Sequence, residues 1–307
     1  MIQRVLFVLT LSLAVSASFG QDKEAQTLTV ATYNLYNMFD VYDDPYSRDE
    51  GTRVKPRAEI EKVAEAIRAI NADVIAVQEV ENEGILRTMV QKMLGDMKYR
   101  HVVVMPTNSE RGGNIGVISR KPVVSIKSHR WARLTLEGKE SSWRFARDLM
   151  QVTIQATESK TLDLFVVHLK SKRTVAGDPN AVMWRSAEAL GARRIVDRYL
   201  QANPGAWVCL AGDCNDTPDS APIQLLLKPD AKGKAPLADL HSSLAKEKRI
   251  TYRSKSYGNS NLDYIMASKA LADRVVPDSA IIYSDADKAS GSDHLPVVVK
   301  FNLAEPK

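Results

Sequence analysis

Short apolar runs of β-forming residues recur along the chain, and many of them stop on a polar residue. Leu28-Thr29-Val30-Ala31-Thr32-Tyr33 ends in Asn34, and Asp73-Val74-Ile75-Ala76-Val77-Gln78 ends in Glu79. Leu162-Asp163-Leu164-Phe165-Val166-Val167 ends in His168, and Ala206-Trp207-Val208-Cys209-Leu210-Ala211-Gly212 ends in Asp213. Further β runs are predicted over 99–105, 115–119, 123–127, 149–156, 261–266, 280–283 and 295–301. Helical periodicity spans 57–72, with Ile60, Val63, Ala64, Ile67 and Ile70 on one face. It recurs over 182–200 through Ala187, Leu190, Ile195, Val196 and Tyr199, with Gly191 as a weak point. No repeat, low-complexity tract or linker divides the chain, and many strands with few helices predict packed sheets under outer helices.

Polar groups at so many strand ends would be costly unless they converge and satisfy one another or bind an ion. Asn215 and Asp216 follow Asp213 closely, and Asp263 lies inside the run 261–266. The run Gly291-Ser292-Asp293-His294-Leu295-Pro296 places a carboxylate and an imidazole side by side ahead of an apolar strand. Unrelated loop-edge polar groups would account for any one of these segments, and poorly for all of them.

The ordered set resembles the motifs of the endonuclease/exonuclease/phosphatase superfamily: Tyr33-Asn34, Gln78-Glu79, His168, Gly212-Asp213-Cys214-Asn215, Asp263-Tyr264 and Ser292-Asp293-His294. The resemblance runs from about Leu28 to Phe301 and bears on fold and reaction type more than on substrate. It implies an α/β fold, a four-layer sandwich of two packed mixed β-sheets with outer helices and the site at the strand ends on one edge. It also implies metal-dependent hydrolysis of phosphodiesters, a reaction that needs charge neutralisation, an activated water and help for the leaving oxygen.

Glu79, Asn34 and Asp293 are the expected metal shell, and oxygen ligands suit Mg²⁺ or Mn²⁺ better than zinc. The alternative for Glu79 is a cap on the following helix. His294 is expected to contact the scissile phosphate and share in activating water, with Asp263 accepting from its imidazole; a plain strand-edge charge is the alternative for Asp263. Asp213 is the other candidate base, Asn215 orients water or a phosphate oxygen, and His168 donates to phosphate or to the leaving group. Arg147, Lys170 and Asn114 are candidate substrate contacts, and Lys172 is equally read as solvated charge. His101, His129 and His241 match no motif and are taken as surface or packing residues. The loops 40–56 and 171–180 are candidates for specificity, and no apolar hairpin with aromatic tips is evident.

Composition adds a compartment. Residues 1–20 read as a secretory signal, with Arg4 ahead of an apolar stretch too short to span a membrane. The resemblance implies a single catalytic domain over 26–303. Removing Arg4 takes the formal charge from +5 to +4. The isoelectric point near 9.0 fits nucleic acid, DNA or RNA, as partner without proving it. Two cysteines exclude a disulfide scaffold; Cys209 is expected to be buried, and Cys214 to point away from the site. The expectation is a secreted or periplasmic monomeric nuclease with no transmembrane segment and no obligate protein partner. The same chemistry on a phospholipid headgroup or a sugar or inositol phosphate is the first alternative. A catalytically silent binding protein of the same fold is the second.

Overall fold

The computed structural model describes residues 26–229, 233, 235–285 and 291–304, so the signal-like segment 1–20 lies outside the described residues. One sheet is built from β1 (Thr27–Met38), β2 (Val74–Val80), β3 (His101–Met105) and β4 (Asn114–Ser119). The other begins with β5 (Val123–Ser128) and, after the short ribbon β6 (Leu134–Thr135) and β7 (Ser142–Trp143), continues with β8 (Leu149–Gln155) and β9 (Thr161–His168). It is completed by β10 (Trp207–Asp213), β11 (Ala238–Asp239) and β12 (Asp263–Ala267), while β13 (Ile281–Ile282) and β14 (Val297–Asn302) return to the first. The strand orders are β13-β14-β1-β2-β4-β3 and β11-β12-β10-β9-β8-β5. Only β1–β2 and β9–β10 pair in parallel among the described strands, so both sheets are mixed.

Side-chain alternation sorts each strand into two faces. Leu28, Val30, Val74 and Ala76 of the first sheet meet Leu162, Leu164, Cys209 and Ala211 of the second in one apolar layer. The alternate residues Ala31, Tyr33, Ile75 and Val77 pack under α1 (Arg57–Ile70) and α2 (Glu83–Met93). Phe165, Val167, Val208 and Leu210 likewise pack under α3 (Val182–Ala202) and α4 (Ala221–Leu227). Helices, sheet, sheet and helices therefore form four layers. The short α5 (Lys269–Ala272) follows β12.

The elements expected from periodicity are present, with shifted ends. Helix α1 stops at Ile70 because Asn71 takes a left-handed C-cap conformation, φ 46°. Helix α2 was not anticipated, although Asn82 caps it through the Ile85 N–H at 3.0 Å and Ile85, Leu86, Met89 and Val90 form its buried stripe. No helix among the described residues is long and apolar enough to cross a membrane. Both cysteines are free and buried. Cys209 lies between the sheets and Cys214 under α4, on the opposite face from Asp213.

Candidate active site

The same alternation carries the polar strand ends into one place. Asn34 continues the inward row of Leu28 and Val30, and His168 that of Leu162, Leu164 and Val166. Asp213 extends Cys209 and Ala211, and Asp263 precedes Ile265 and Ala267 on the same face. Register then aligns three of them, since Asp213 pairs with His168 on one side and Asp263 on the other. Gly212 makes the row possible: its φ is +149° and a Cβ there would stand 1.9 Å from the Val167 carbonyl oxygen. Beneath the site, Gln78 Nε2 donates to Thr32 Oγ1 at 3.1 Å, closing the cleft between the sheets with a satisfied polar pair.

Asp213 Oδ2 is the centre of the cluster. Asn34 Nδ2 donates to it at 3.1 Å and Asn215 Nδ2 at 3.3 Å. His168 Nε2 lies 3.4 Å away and His294 Nε2 3.9 Å. The other oxygen accepts the Asn215 N–H at 2.7 Å. Burial raises the Asp213 carboxyl to about 7, with Asp263 and Glu79 adding to the shift and His294 opposing it. His294 Nδ1 lies 2.7 Å from Asp263 Oδ2. Burial disfavours its imidazolium, but Asp263, Asp213 and Asp293 outweigh that and push it up to about 10. His168 is shifted the other way, well down, by burial and by the charges of Arg147 and His294. Both influences favour the neutral imidazole, whose Nε2 is the ring nitrogen nearer Asp213.

The strand β1 bends sharply after Asn34, where Tyr36 and Asn37 adopt positive φ, and Glu79 does so at the β2 bulge. This turns the Glu79 carboxylate to the Asn37 N–H at 2.9 Å and to Asn34 Nδ2 at 3.5 Å. It does not cap α2, whose cap is Asn82. The Gly291–His294 turn docks on α1 because Gly291 has no Cβ; one would meet the Glu59 carbonyl oxygen at 2.4 Å. Ser292 Oγ donates to the Asn34 carbonyl at 2.7 Å and accepts the His294 N–H at 3.0 Å. Asp293 is raised to about 6, first by burial and then by Glu79 and Asp263, and its buried Oδ1 accepts no hydrogen bond.

A model of the endonuclease/exonuclease/phosphatase family matches residues 29–289. The chain belongs to the endonuclease/exonuclease/phosphatase family. Its members are divalent-metal-dependent hydrolases of phosphoester bonds. The match ends before Asp293 and His294, which the fold nevertheless returns to the cluster through β14. The human Nocturnin catalytic domain with bound sulfate anion has a TM-score of 0.63 at 18% identity, covering 90% of this chain and 94% of that one. Truncated TDP2 from Caenorhabditis elegans gives 0.59 at 15%, covering 90% and 98%. Sphingomyelinase C from Streptomyces griseocarneus gives 0.58 at 20%, covering 90% and 99%. At these identities the likeness is one of fold. A search of curated protein sequences finds no match.

The donor set suits the family's metal. Four carboxylates, Glu79, Asp213, Asp263 and Asp293, gather in this cluster, and Asp293 Oδ1 is an orphaned acceptor beside Glu79. Asp213, Asp263 and His294 also bring ligand-capable atoms within 4.8 Å of one another. There the short His294–Asp263 contact already satisfies the acid with a proton. Oxygen donors dominate both groups, which is the chemistry of a hard cation.

Arg147 donates to the Leu169 carbonyl at 3.2 Å and feels Glu79, Glu188 and Asp213. Burial lowers its pKa, and those carboxylates hold it up. Lys170 turns aside: its ammonium lies 5.6 Å from the Trp184 ring centroid and 3.4 Å from Ser171 Oγ. Lys172 pairs with Asp216 at 3.1 Å. Asn114 spends its amide on Thr107 and the Glu81 carbonyl, shaping the 106–113 loop.

Other contributors were not anticipated. Arg111 lies 3.8 Å from Glu79 and hydrogen-bonds Asn37. Lys55 is buried and donates to the Tyr36 carbonyl at 2.8 Å, holding the bend of β1. Thr251 Oγ1 accepts the N–H groups of Leu262 and Asp263 at 2.9 and 3.0 Å, and the Tyr252 ring stands 4.9 Å from that of His294. Glu188, fully buried on α3, accepts the Ala146 N–H at 2.6 Å and the Lys170 N–H at 2.5 Å, tying the Arg147 and His168 loops together. Its only trace in the sequence is a carboxylate in the small-residue stretch Ala187–Ala192, easily taken for a solvated face.

Proposed function

We propose that the protein is an exported, monomeric phosphodiesterase that cleaves nucleic acid with Mg²⁺ or Mn²⁺. The observation that carries the reading is the convergence on Asp213 Oδ2 of Asn34, Asn215, His168 and His294, beside the Glu79–Asp293 pair. Glu79, Asp293 and Asn34 would hold the cation, which when bound neutralises phosphate charge and acidifies water.

Each remaining side chain has work that its surroundings support. Asp213, raised to about 7, is poised to accept a proton from the attacking water near neutral pH. Asn215 and Asn34 fix its carboxylate. His294, kept as imidazolium by Asp263, donates from Nε2 to a non-bridging oxygen. Neutral His168 braces Asp213, and Arg147 with Arg111 adds cationic charge for the polyanion. The basic balance, +5 over the whole sequence and +4 once Arg4 is removed, is compatible with a polyanionic substrate.

A lipid headgroup is the second reading. Val41, Tyr42 and Tyr46 are exposed at 74%, 79% and 97% on the loop after β1, where the sequence indicates no aromatic tips, with Asp43 and Asp44 exposed between them. The fold likeness to a sphingomyelinase points the same way.

The test is hydrolysis of plasmid DNA, RNA, sphingomyelin vesicles and a small aryl phosphodiester by the mature protein. Each is assayed with Mg²⁺ or Mn²⁺ and with chelator, beside His294→Ala. Metal-dependent cleavage of either polymer, lost in the variant, supports the proposal. Turnover of vesicles alone would transfer it to the lipid reading, and silence on every substrate would leave a binding protein.

A further inference from the structure

The ribbon β6–β7 contributes no residue to the cluster around Asp213, yet it is firmly seated. Leu134 is buried against α3 at Gly191, where a Cβ would stand 2.4 Å from the Leu134 methyl. The stem of the ribbon presents Trp131, 62% exposed, with the guanidinium carbons of Arg130 and Arg144 at 4.8 and 4.9 Å from its ring centroid. Arg130 is fixed by donating to the Pro106 carbonyl at 2.6 Å, and its own carbonyl accepts from Asn108 at 2.8 Å. Trp184 joins this surface through its Nε1–H, which donates to the Arg144 carbonyl at 2.8 Å, and the Lys170 ammonium lies over its ring.

Two stretches of chain lead from this surface into the site. Arg144 precedes Arg147 by three residues, and Lys170 follows His168 by two, so each link spans at most ~10 Å. Asp148, the acid that faces Arg130, is buried and accepts the His129 N–H at 2.9 Å, and three other nearby acids are engaged. Asp178 accepts the N–H groups of Met183 and Trp184, Asp216 pairs with Arg185 and Lys172, and Glu188 accepts those of Ala146 and Lys170. Glu137 and Glu140 lie in the turn between β6 and β7, at the far end of the ribbon.

We propose that Trp131, Arg130 and Arg144, continued by Trp184 and Lys170, form a docking surface for a single-stranded segment of nucleic acid leaving the site. This rests on the nucleic-acid reading above. Guanidinium groups match phosphate oxygens and also stack on bases, while an exposed indole offers a face or edge to any unpaired base, so such a track tolerates sequence. A duplex would hide its bases and use the cations alone. A membrane surface is the weaker match, because the cations sit over the ring instead of leaving an apolar tip.

The experiment is fluorescence anisotropy of a labelled single-stranded oligonucleotide and of a duplex of equal length. The whole protein is used in chelator, so that binding is read without turnover. The single strand should bind more tightly than the duplex. Trp131→Ala combined with Arg144→Ala should weaken it roughly tenfold or more, and Trp131→Phe should recover much of the loss. Unchanged strand affinity in the double variant overturns the proposal. So does loss of binding to anionic vesicles in that variant while strand binding persists. A protein that cuts plasmid but lacks strand affinity keeps the nuclease reading and loses this surface. One that holds the strand through Trp131 and cuts nothing does the reverse.

Discussion

His294 Nδ1 and Asp263 Oδ2 lie 2.7 Å apart in a buried row, with Asp213 on the far side of the imidazole. The pair keeps His294 charged up to about 10. For a histidine raised in the folded state, the stabilisation is fully present below the ordinary value of 6.5 and is lost as pH rises through about 10. Asp263→Asn removes the largest opposing charge. Its His294 resonance, followed by NMR, should titrate at lower pH than in the wild type, and turnover on a small diester should fall roughly 10- to 100-fold. An imidazole that titrates as before would show that Asp263 does not govern it.

Asp293 illustrates a conflict between stability and function. Its carboxyl is raised to about 6 from 3.8, so ionising it costs folding free energy that grows through that window and is complete above it. At pH 8 without metal, Asp293→Asn should therefore stabilise the fold, on the order of 1–2 kcal/mol given its partial exposure. The same change removes one of the three residues proposed to hold the cation. Melting in chelator and in Mn²⁺ checks both effects: the variant should melt higher in chelator and gain less from the ion.

Gly291 has no catalytic group, yet it sets where Asp293 and His294 stand. A methyl there would meet the Glu59 carbonyl oxygen at 2.4 Å and the Val63 nitrogen at 2.8 Å, both in the backbone of α1. The turn must lift to accommodate it. Gly291→Ala should cut turnover by roughly 10- to 100-fold, since misplacement by about 1 Å can carry that penalty. Activity measured beside the circular-dichroism melt separates displacement of the turn from loss of fold.

Much of this site was legible because alternation in a strand is strict. Once a run such as Leu162–His168 is read as a strand, the face taken by its last residue follows from the first, and inward polar ends must meet something. Lys170 and Asn114 show where that logic stops. Both lie beside a strand that reaches the site, but Lys170 turns away from the Asp213 cluster toward Trp184 and Ser171, and the polar atoms of Asn114 are taken up by Thr107 and Glu81. Helix α2 shows a different limit, since one short amphipathic stripe competes with neighbouring apolar runs. The supports Thr251, Lys55 and Glu188 act by accepting or donating to distant backbone, and no local pattern records that.

Glu188 gives the sharpest pH prediction away from the reacting groups. Burial raises its carboxyl to about 7 from 4.5, against the lowering effect of the Ala146 and Lys170 N–H groups and of Arg147 and Arg185. The folded protein thus binds this proton more tightly than the unfolded chain between those values. Its contribution to stability is greatest below about 4.5 and falls as pH rises through about 7, by up to roughly 3 kcal/mol. Glu188→Gln does not titrate, and its amide can accept only one of the two backbone N–H groups, at a cost of about 1–3 kcal/mol for the other. Urea unfolding at pH 5 and pH 8 should show the wild type ahead of the variant by a margin that shrinks at the higher pH. A margin that widens would mean that the buried carboxylate is held ionised by Arg147 and Arg185, and that the tie between the Arg147 and His168 loops is an ion pair.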